Sequence, residues 1–288
     1  MKTVLVTVAT DPTNPYFQNW LMSTKKAGWT NSQIRVLGKN EPWQGWTWRC
    51  QQIVDALQQL DPQDLVIFCD SYDLLVFGSP SDFENVHRNC NCDILLGMDY
   101  ACMEEAFLSI KPSCSGSLAS DRLLFVNGGG IMGWAKDLLQ AYTYIAKHHH
   151  DDQIGWYDYL QHHLPRGTKV RFDEQNQMIF NFMFGDHKQP DKQGRTVAKY
   201  VEMLYNPWKS MHTVTKEHGR PCVKQQYPLM IHTPGITADG GARYNYVGKK
   251  FLRESFQQKG LQYGLLSTLA YLPLVIVVVV AVALIVKK

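Results

Sequence analysis

The sequence has no Asn-x-Ser/Thr acceptor, no run of Lys and Arg, no internal repeat and no low-complexity stretch before its last two dozen residues. Without a basic block, and with a formal net charge of only +3 over 288 residues, nucleic acid is excluded as the main partner, because binding it needs clustered cations. No GK[ST] occurs, so the P-loop is missing. The seven cysteines include no CxxC pair. An odd number cannot close as a disulfide set, and free buried thiols are the expectation. Cys90-Asn91-Cys92 is a weaker candidate for a metal or redox pair, since no second ligand pair stands at finger-like spacing. The first apolar run, residues 4–8, is too short for a signal-peptide core and reads as a buried strand.

What is present points to an α/β domain. With 45% hydrophobic residues the chain can bury a substantial core. Residues 4–8, 34–37, 65–69 and 94–97 are short, continuous apolar runs that read as strands, and 17–27 and 48–60 have helical spacing. Continuous rather than alternating strands are expected where helices cover both faces of a mostly parallel sheet. Further on, apolar runs at 123–126 and 131–133 flank a glycine run. Residues 137–148 and 153–163 read as helices, 185–215 as a polar excursion, and 229–232 as a last strand. Residues 245–260 read as a link to the C-terminal segment.

That segment, Gly264 to Val286, has 23 residues without a charge, about 34 Å as a helix, enough to span a bilayer. Residues 275–286 are entirely aliphatic and offer water no polar face, so a membrane anchor is expected over a core helix. Lys249, Lys250, Arg253 and Lys259 precede it and only Lys287 and Lys288 follow, a bias that places the large domain in the cytoplasm. The expected organisation is a domain over 1–250, a juxtamembrane linker over 251–263 and an anchor over 264–286.

The residues with chemical potential lie at the ends of these runs. The strand at 65–69 leads straight into Asp70-Ser71-Tyr72-Asp73, two carboxylates at the carboxyl edge of a sheet, where open α/β sheets bind ligands. Two acids on one turn repel unless a divalent cation neutralises them, and hard oxygens suit Mg²⁺ or Mn²⁺ bridging a diphosphate. His232 ends the run 229–232 before Thr233-Pro234-Gly235 and is a candidate third ligand. Thr7-Val8-Ala9-Thr10-Asp11 forms a small-residue turn open to a base and ribose. Asn127-Gly128-Gly129-Gly130 reads either as a hairpin turn or as a sugar-binding loop. Asp151 and Asp152 stand at a helix start, suited to capping or to substrate hydroxyls. His148-His149-His150 cannot all face one ion from a single segment. Trp43-Gln44-Gly45-Trp46-Thr47-Trp48-Arg49 combines three indoles with a guanidinium, suited either to core packing or to stacking on rings and gripping phosphate.

Taken in order along the chain, Thr7-Val8-Ala9-Thr10, Trp43, Asp70-Ser71-Tyr72-Asp73, Asn127-Gly128-Gly129, Asp151-Asp152-Gln153 and His232 resemble the glycosyltransferase domain of the multifunctional lysyl hydroxylases, the collagen hydroxylysine glucosyl- and galactosyltransferases. The resemblance covers about residues 3–250. It implies a nucleotide-sugar transferase fold of the GT-A type, a Rossmann-like mixed sheet with helices on both faces, a UDP-hexose donor and Mn²⁺, with Mg²⁺ as the alternative. It also implies that Asp70, Asp73 and His232 hold the metal. Val8, Thr10 and Tyr72 would contact the uridine, and Trp43 and Arg49 would flank the donor, Arg49 standing where the family has a lysine. Asn127, Gly128 and Gly129 would line the donor, and Asp151 and Asp152 would face the transferred sugar. The sequence departs from the family after Asp99-Tyr100, where no aromatic gating loop follows, and after His232, where Thr-Pro-Gly replaces Gly-Asn-Gly. The resemblance does not extend to the hydroxylase-type domains, so lysine hydroxylation is not expected of these residues.

The expected activity is therefore transfer of glucose or galactose from a UDP-sugar to an acceptor hydroxyl, hydroxylysine-linked or on another protein glycan. The family works in the secretory lumen, against the cytoplasmic placement implied by the flanking charges. Two alternatives come from other classes. One is a membrane-tethered nucleotide-sugar-binding protein without turnover, distinguished by UDP binding without hydrolysis. The other is a metal-dependent phosphohydrolase, distinguished by phosphate release from simple esters.

Overall fold

The computed structural model describes residues 1–99, 125–182, 214–223, 225–234 and 238–252. The departure at residues 100–105, most of the polar excursion and the apolar segment 264–286 lie outside the described residues. Among the described residues no helix is long and apolar enough to cross a membrane.

The main sheet has six strands in the order β2-β1-β3-β6-β5-β7. These are β1 Thr3–Val8, β2 Ile34–Leu37, β3 Leu65–Cys69, β5 Ile94–Asp99, β6 Phe125–Trp134 and β7 Val170–Phe172. β1 runs parallel to β2 and β3, with Leu5 opposite both Ile34 and Ile67. β6 runs antiparallel to both its neighbours, and β5 pairs parallel with β7. The sheet is thus mixed. A second sheet has three strands in the order β4-β11-β8, namely β4 Leu74–Val76, β8 Ile179–Asn181 and β11 Met230–His232. A separate hairpin pairs β9 Val214–Glu217 with β10 Arg220–Val223.

Alternation along the central strands divides the core between the two faces of the main sheet. Val4, Val6, Val66, Phe68, Leu96 and Ile131 pack with helices α2 Trp46–Leu57, α4 Ala135–His148 and α5 Asp152–Asp158. Leu5, Leu65, Ile67, Leu95 and Met132 pack on the other face with α1 Pro15–Lys26 and α3 Pro80–Cys90. The helix starts carry their own signals. Asn14 accepts from the Tyr16 backbone and precedes Pro15, while Ser79 and Asp82 cap α3 reciprocally, each satisfying backbone donors that a first helical turn leaves open. A third core lies on the small sheet, where Leu75, Phe180 and Ile231 meet Tyr244, Val247 and Leu252 of α6 Ala238–Leu252.

Three expectations are corrected. Asn127 to Gly130 is not a turn, because β6 runs straight through it. Glycines do not break a strand where neighbours approach too closely for any side chain, and here they do. Residues 245–252 belong to the packed helix α6 rather than to a linker. Cys50, Cys69 and Cys222 are free and buried, but Cys90 and Cys92 are joined in a disulfide. Asn91, left-handed at φ 48°, reverses the chain at the end of α3 and brings the two Cα atoms to 5.5 Å, within bridging range.

Candidate metal and donor site

Three strand ends converge on one point. Asp70 follows β3, and its backbone N–H donates to the Gly129 carbonyl at 3.1 Å, prolonging the β3–β6 pairing by one residue. Asp73 immediately precedes β4, and its carbonyl accepts from the Thr233 N–H at 2.8 Å and from the Thr233 hydroxyl at 3.0 Å. His232 closes β11, opposite Leu74 on one side and Asn181 on the other. The convergence is a product of register. Both sheets present their chain reversals at the same edge.

His232 Nε2 lies 3.4 Å from Asp73 Oδ1 and 3.7 Å from Asp70 Oδ2, and the three side chains offer ligand atoms within 4.8 Å of one another. Among the described residues this is the group that could hold a metal ion. The far side of the imidazole explains its orientation. His232 Nδ1 is 2.8 Å from Asn181 Oδ1, and Asn181 Nδ2 donates to the buried Met98 carbonyl at 2.8 Å. With its nitrogen so used, the amide presents an oxygen that can only accept, so Nδ1 carries the proton. Nε2 is therefore the nitrogen turned toward the two carboxylates. An outward N–H held by a fixed acceptor is how metal-binding histidines are oriented, leaving the other ring nitrogen to face the ion. The donor set of two carboxylates and one imidazole fits a divalent ion.

Arg49 joins this group to Asp152. Its guanidinium donates through Nη2 to Asp70 Oδ1 at 2.6 Å and through Nη1 to Asp152 Oδ2 at 2.8 Å. The Trp46 and Phe68 ring centroids lie 5.2 and 4.9 Å from Cζ. Arg49 is only 4% exposed. Burial works against its charge, but Asp152 and Asp70 hold it more firmly protonated than usual. Burial raises the Asp70 carboxyl above its ordinary range, with Arg49 opposing and the Asp73 charge adding. Burial likewise raises Asp152 against the pull of Arg49. The two adjacent acids at the start of α5 divide their tasks. Asp151 accepts from the Ile154 N–H as the helix cap, leaving Asp152 buried in the cluster.

The glycines expected to line a donor lie beneath these side chains. A Cβ on Gly129 would sit 2.3 Å from His232 Cε1, and one on Gly128 would sit 3.4 Å from Asp152 Oδ2. Asn127 turns inward, its side-chain oxygen accepting from the Gly129 N–H at 2.8 Å. At the end of β1 the Asp11 N–H donates to the Tyr72 hydroxyl at 3.2 Å, so Tyr72 is tied to the turn holding Val8 and Thr10. Trp43 is half exposed and meets Trp46 and Trp48 edge to face, in continuity with Arg49 through Trp46. The histidine run is dispersed. His149 Nε2 pairs with Asp158 at 2.9 Å, and His150 faces Thr47. Asn181 was not expected from the sequence, since an Asn ending a short apolar run reads as a turn residue.

Residues 1–215 match the family described as the PLOD GT domain. The human multifunctional procollagen lysine hydroxylase and glycosyltransferase LH3 is 27% identical over 263 residues, covering 86% of this chain and 31% of that protein, and the Pongo abelii protein of the same name matches to the same extent. The chain thus spans less than a third of the length of these relatives. Uncharacterized protein R699 of Acanthamoeba polyphaga mimivirus is 22% identical over 135 residues, 43% of this chain and 29% of that protein. Among solved structures, a glycosyltransferase involved in the glycosylation of the major capsid of PBCV-1 overlaps 85% of this chain and 98% of its own, with a TM-score of 0.44 and 11% identity. Matched over three-quarters of its length, the chain belongs to the family of PLOD glycosyltransferase domains.

Proposed function

We propose that this protein is a metal-dependent glycosyltransferase of the GT-A type, which moves glucose or galactose from a UDP-sugar to an acceptor hydroxyl, hydroxylysine-linked or on another protein glycan. The observation that carries the reading is the His232 ring, fixed through Nδ1 by Asn181, with its Nε2 facing Asp70 and Asp73. Asp70, Asp73 and His232 would hold the ion. A mixed carboxylate and imidazole set suits Mn²⁺ better than Mg²⁺, which prefers oxygen ligands throughout. A bound divalent ion supplies charge neutralisation for a diphosphate leaving group.

The protein's own residues do the positioning. Tyr72 and the turn with Val8 and Thr10 form the nucleoside end, and Trp43 with Trp46 offers aromatic faces beside Arg49. Gly128 and Gly129 admit a ligand close to the backbone, and Asp152 holds the transferred sugar. The segment 264–286 tethers the domain to a membrane in this reading. The Cys90–Cys92 disulfide favours an oxidising compartment over the cytoplasm. Alkylation of the intact protein without reductant tests that placement, since labelling of both residues would return the domain to the cytoplasm.

The central test is UDP release with Mn²⁺ across UDP-glucose, UDP-galactose and other UDP-sugars. Asp73→Asn is expected to lower the rate by about a hundredfold, in keeping with the loss of a ligand from a catalytic metal. Equal rates in wild type and variant would exclude the metal role.

A further inference from the structure

A buried guanidinium is costly to desolvate, and Arg49 compensates with two short ion pairs to acids that lie 21 and 103 residues away in sequence. The result is a division of each carboxylate. Asp70 gives Oδ1 to Arg49 and turns Oδ2 toward His232. Asp152 gives Oδ2 to Arg49 while lying against Gly128, next to the glycine that admits the His232 ring. The Trp46 and Phe68 rings hold the guanidinium in place.

We propose that Arg49 is a positioning residue for the transfer reaction, an inference that rests on the reading above: its fork makes Asp70 of the β3 end and Asp152 of the α5 start one rigid unit. Asp70 is thereby left a single oxygen for the cation, and Asp152 is fixed beside it at the sugar. A lysine in this place carries the charge on one point and can hold one carboxylate but not both. The charge has a second consequence. A guanidinium on Asp70 opposes a cation on the same carboxylate and favours an incoming diphosphate, so the bare site binds the ion less tightly than its three ligands alone would.

The test compares wild type, Arg49→Lys and Arg49→Met as the full chain, with folding checked by circular dichroism, Mn²⁺ affinity read from the electron paramagnetic resonance of the free ion, and UDP release measured at steady state. In Arg49→Lys, Mn²⁺ affinity and donor KM should stay within about threefold while kcat falls at least about tenfold, the pattern of lost alignment rather than lost binding. In Arg49→Met, Mn²⁺ should bind at least about tenfold more tightly without UDP. A kcat for Arg49→Lys within about twofold of wild type overturns the positioning role. If wild type releases UDP from no donor, the transfer reading fails on its own, and the Mn²⁺ titration decides. Equal affinity in all three proteins then overturns the clamp, and tightening in Arg49→Met alone supports it. Should Arg49→Met not fold, Arg49→Met/Asp152→Asn removes both halves of the buried pair. It should bind Mn²⁺ more tightly than Asp152→Asn alone, and no difference overturns the inference.

Discussion

Two uncharged residues govern the His232 imidazole. Gly129 leaves room for it, and a methyl group there would overlap Cε1 and Nδ1. Gly129→Ala is therefore expected to displace the ring and weaken Mn²⁺ binding by about tenfold or more, whereas Gly128→Ala, whose Cβ meets Asp152 at ordinary contact distance, should change it by no more than about twofold. Comparable affinities for the two variants in a Mn²⁺ titration would refute the distinction. Asn181→Leu removes both the acceptor for Nδ1 and the donor to the Met98 carbonyl. It should cost about 1–3 kcal/mol of stability and about 10–100-fold in Mn²⁺ affinity, measured by denaturant unfolding and metal titration. Asp70 and His232 were legible as candidates in the sequence because each closes or follows an apolar run, and Asp73 because it shares a turn with Asp70. Asn181 follows the same kind of run, but only its register with His232 distinguishes it from any turn residue. Arg49 was legible as a cation among tryptophans, while the sharing of its nitrogens between two distant acids is a property of the assembled fold.

Among the elements, the long buried strands β1, β3 and β5 and the helices α1, α2 and α4 could be read from apolar runs and helical spacing. The short strands β2 and β11 could be read as well, within the runs 34–37 and 229–232, but β4, β7, β8, β9 and β10 were not separated from the loops around them. β6 failed for a reason of its own. Its glycines follow turn composition, yet they are selected by the side chains pressed against them, Ile179 on Gly130 and His232 on Gly129. The entry to β8 depends on Asp173, which is buried and accepts from the backbone N–H groups of Gln177, Met178 and Ile179 at 2.8, 2.7 and 2.8 Å. Asp173→Asn would turn an NH₂ group against at least one of these donors. It should cost about 2–3 kcal/mol, or about 5–10 °C in Tm for a domain of this size. An unchanged melting curve would mean that the three bonds do not organise this turn.

At the scale of the whole molecule the candidate site lies on the seam between the two sheets, with Asp70 on one, and Asp73 and His232 on the other. A cation held there clips the sheets together, so binding is also stabilisation. At a hundredfold excess over its Kd, Mn²⁺ should add about 2.7 kcal/mol, a rise of about 5–10 °C in Tm that a chelator reverses and Asp73→Asn abolishes. A wild-type Tm indifferent to Mn²⁺ would count against a seam metal. The same seam separates the ligands in time. Thr233, which anchors the His232 end of β11 to Asp73, comes 160 residues after it. At about 5–20 residues per second of synthesis the two aspartates wait roughly 8–30 seconds on the ribosome for their histidine. During that interval the emerging chain carries two of the three candidate ligands, so loading of a metal on the full set would follow the arrival of the C-terminal third.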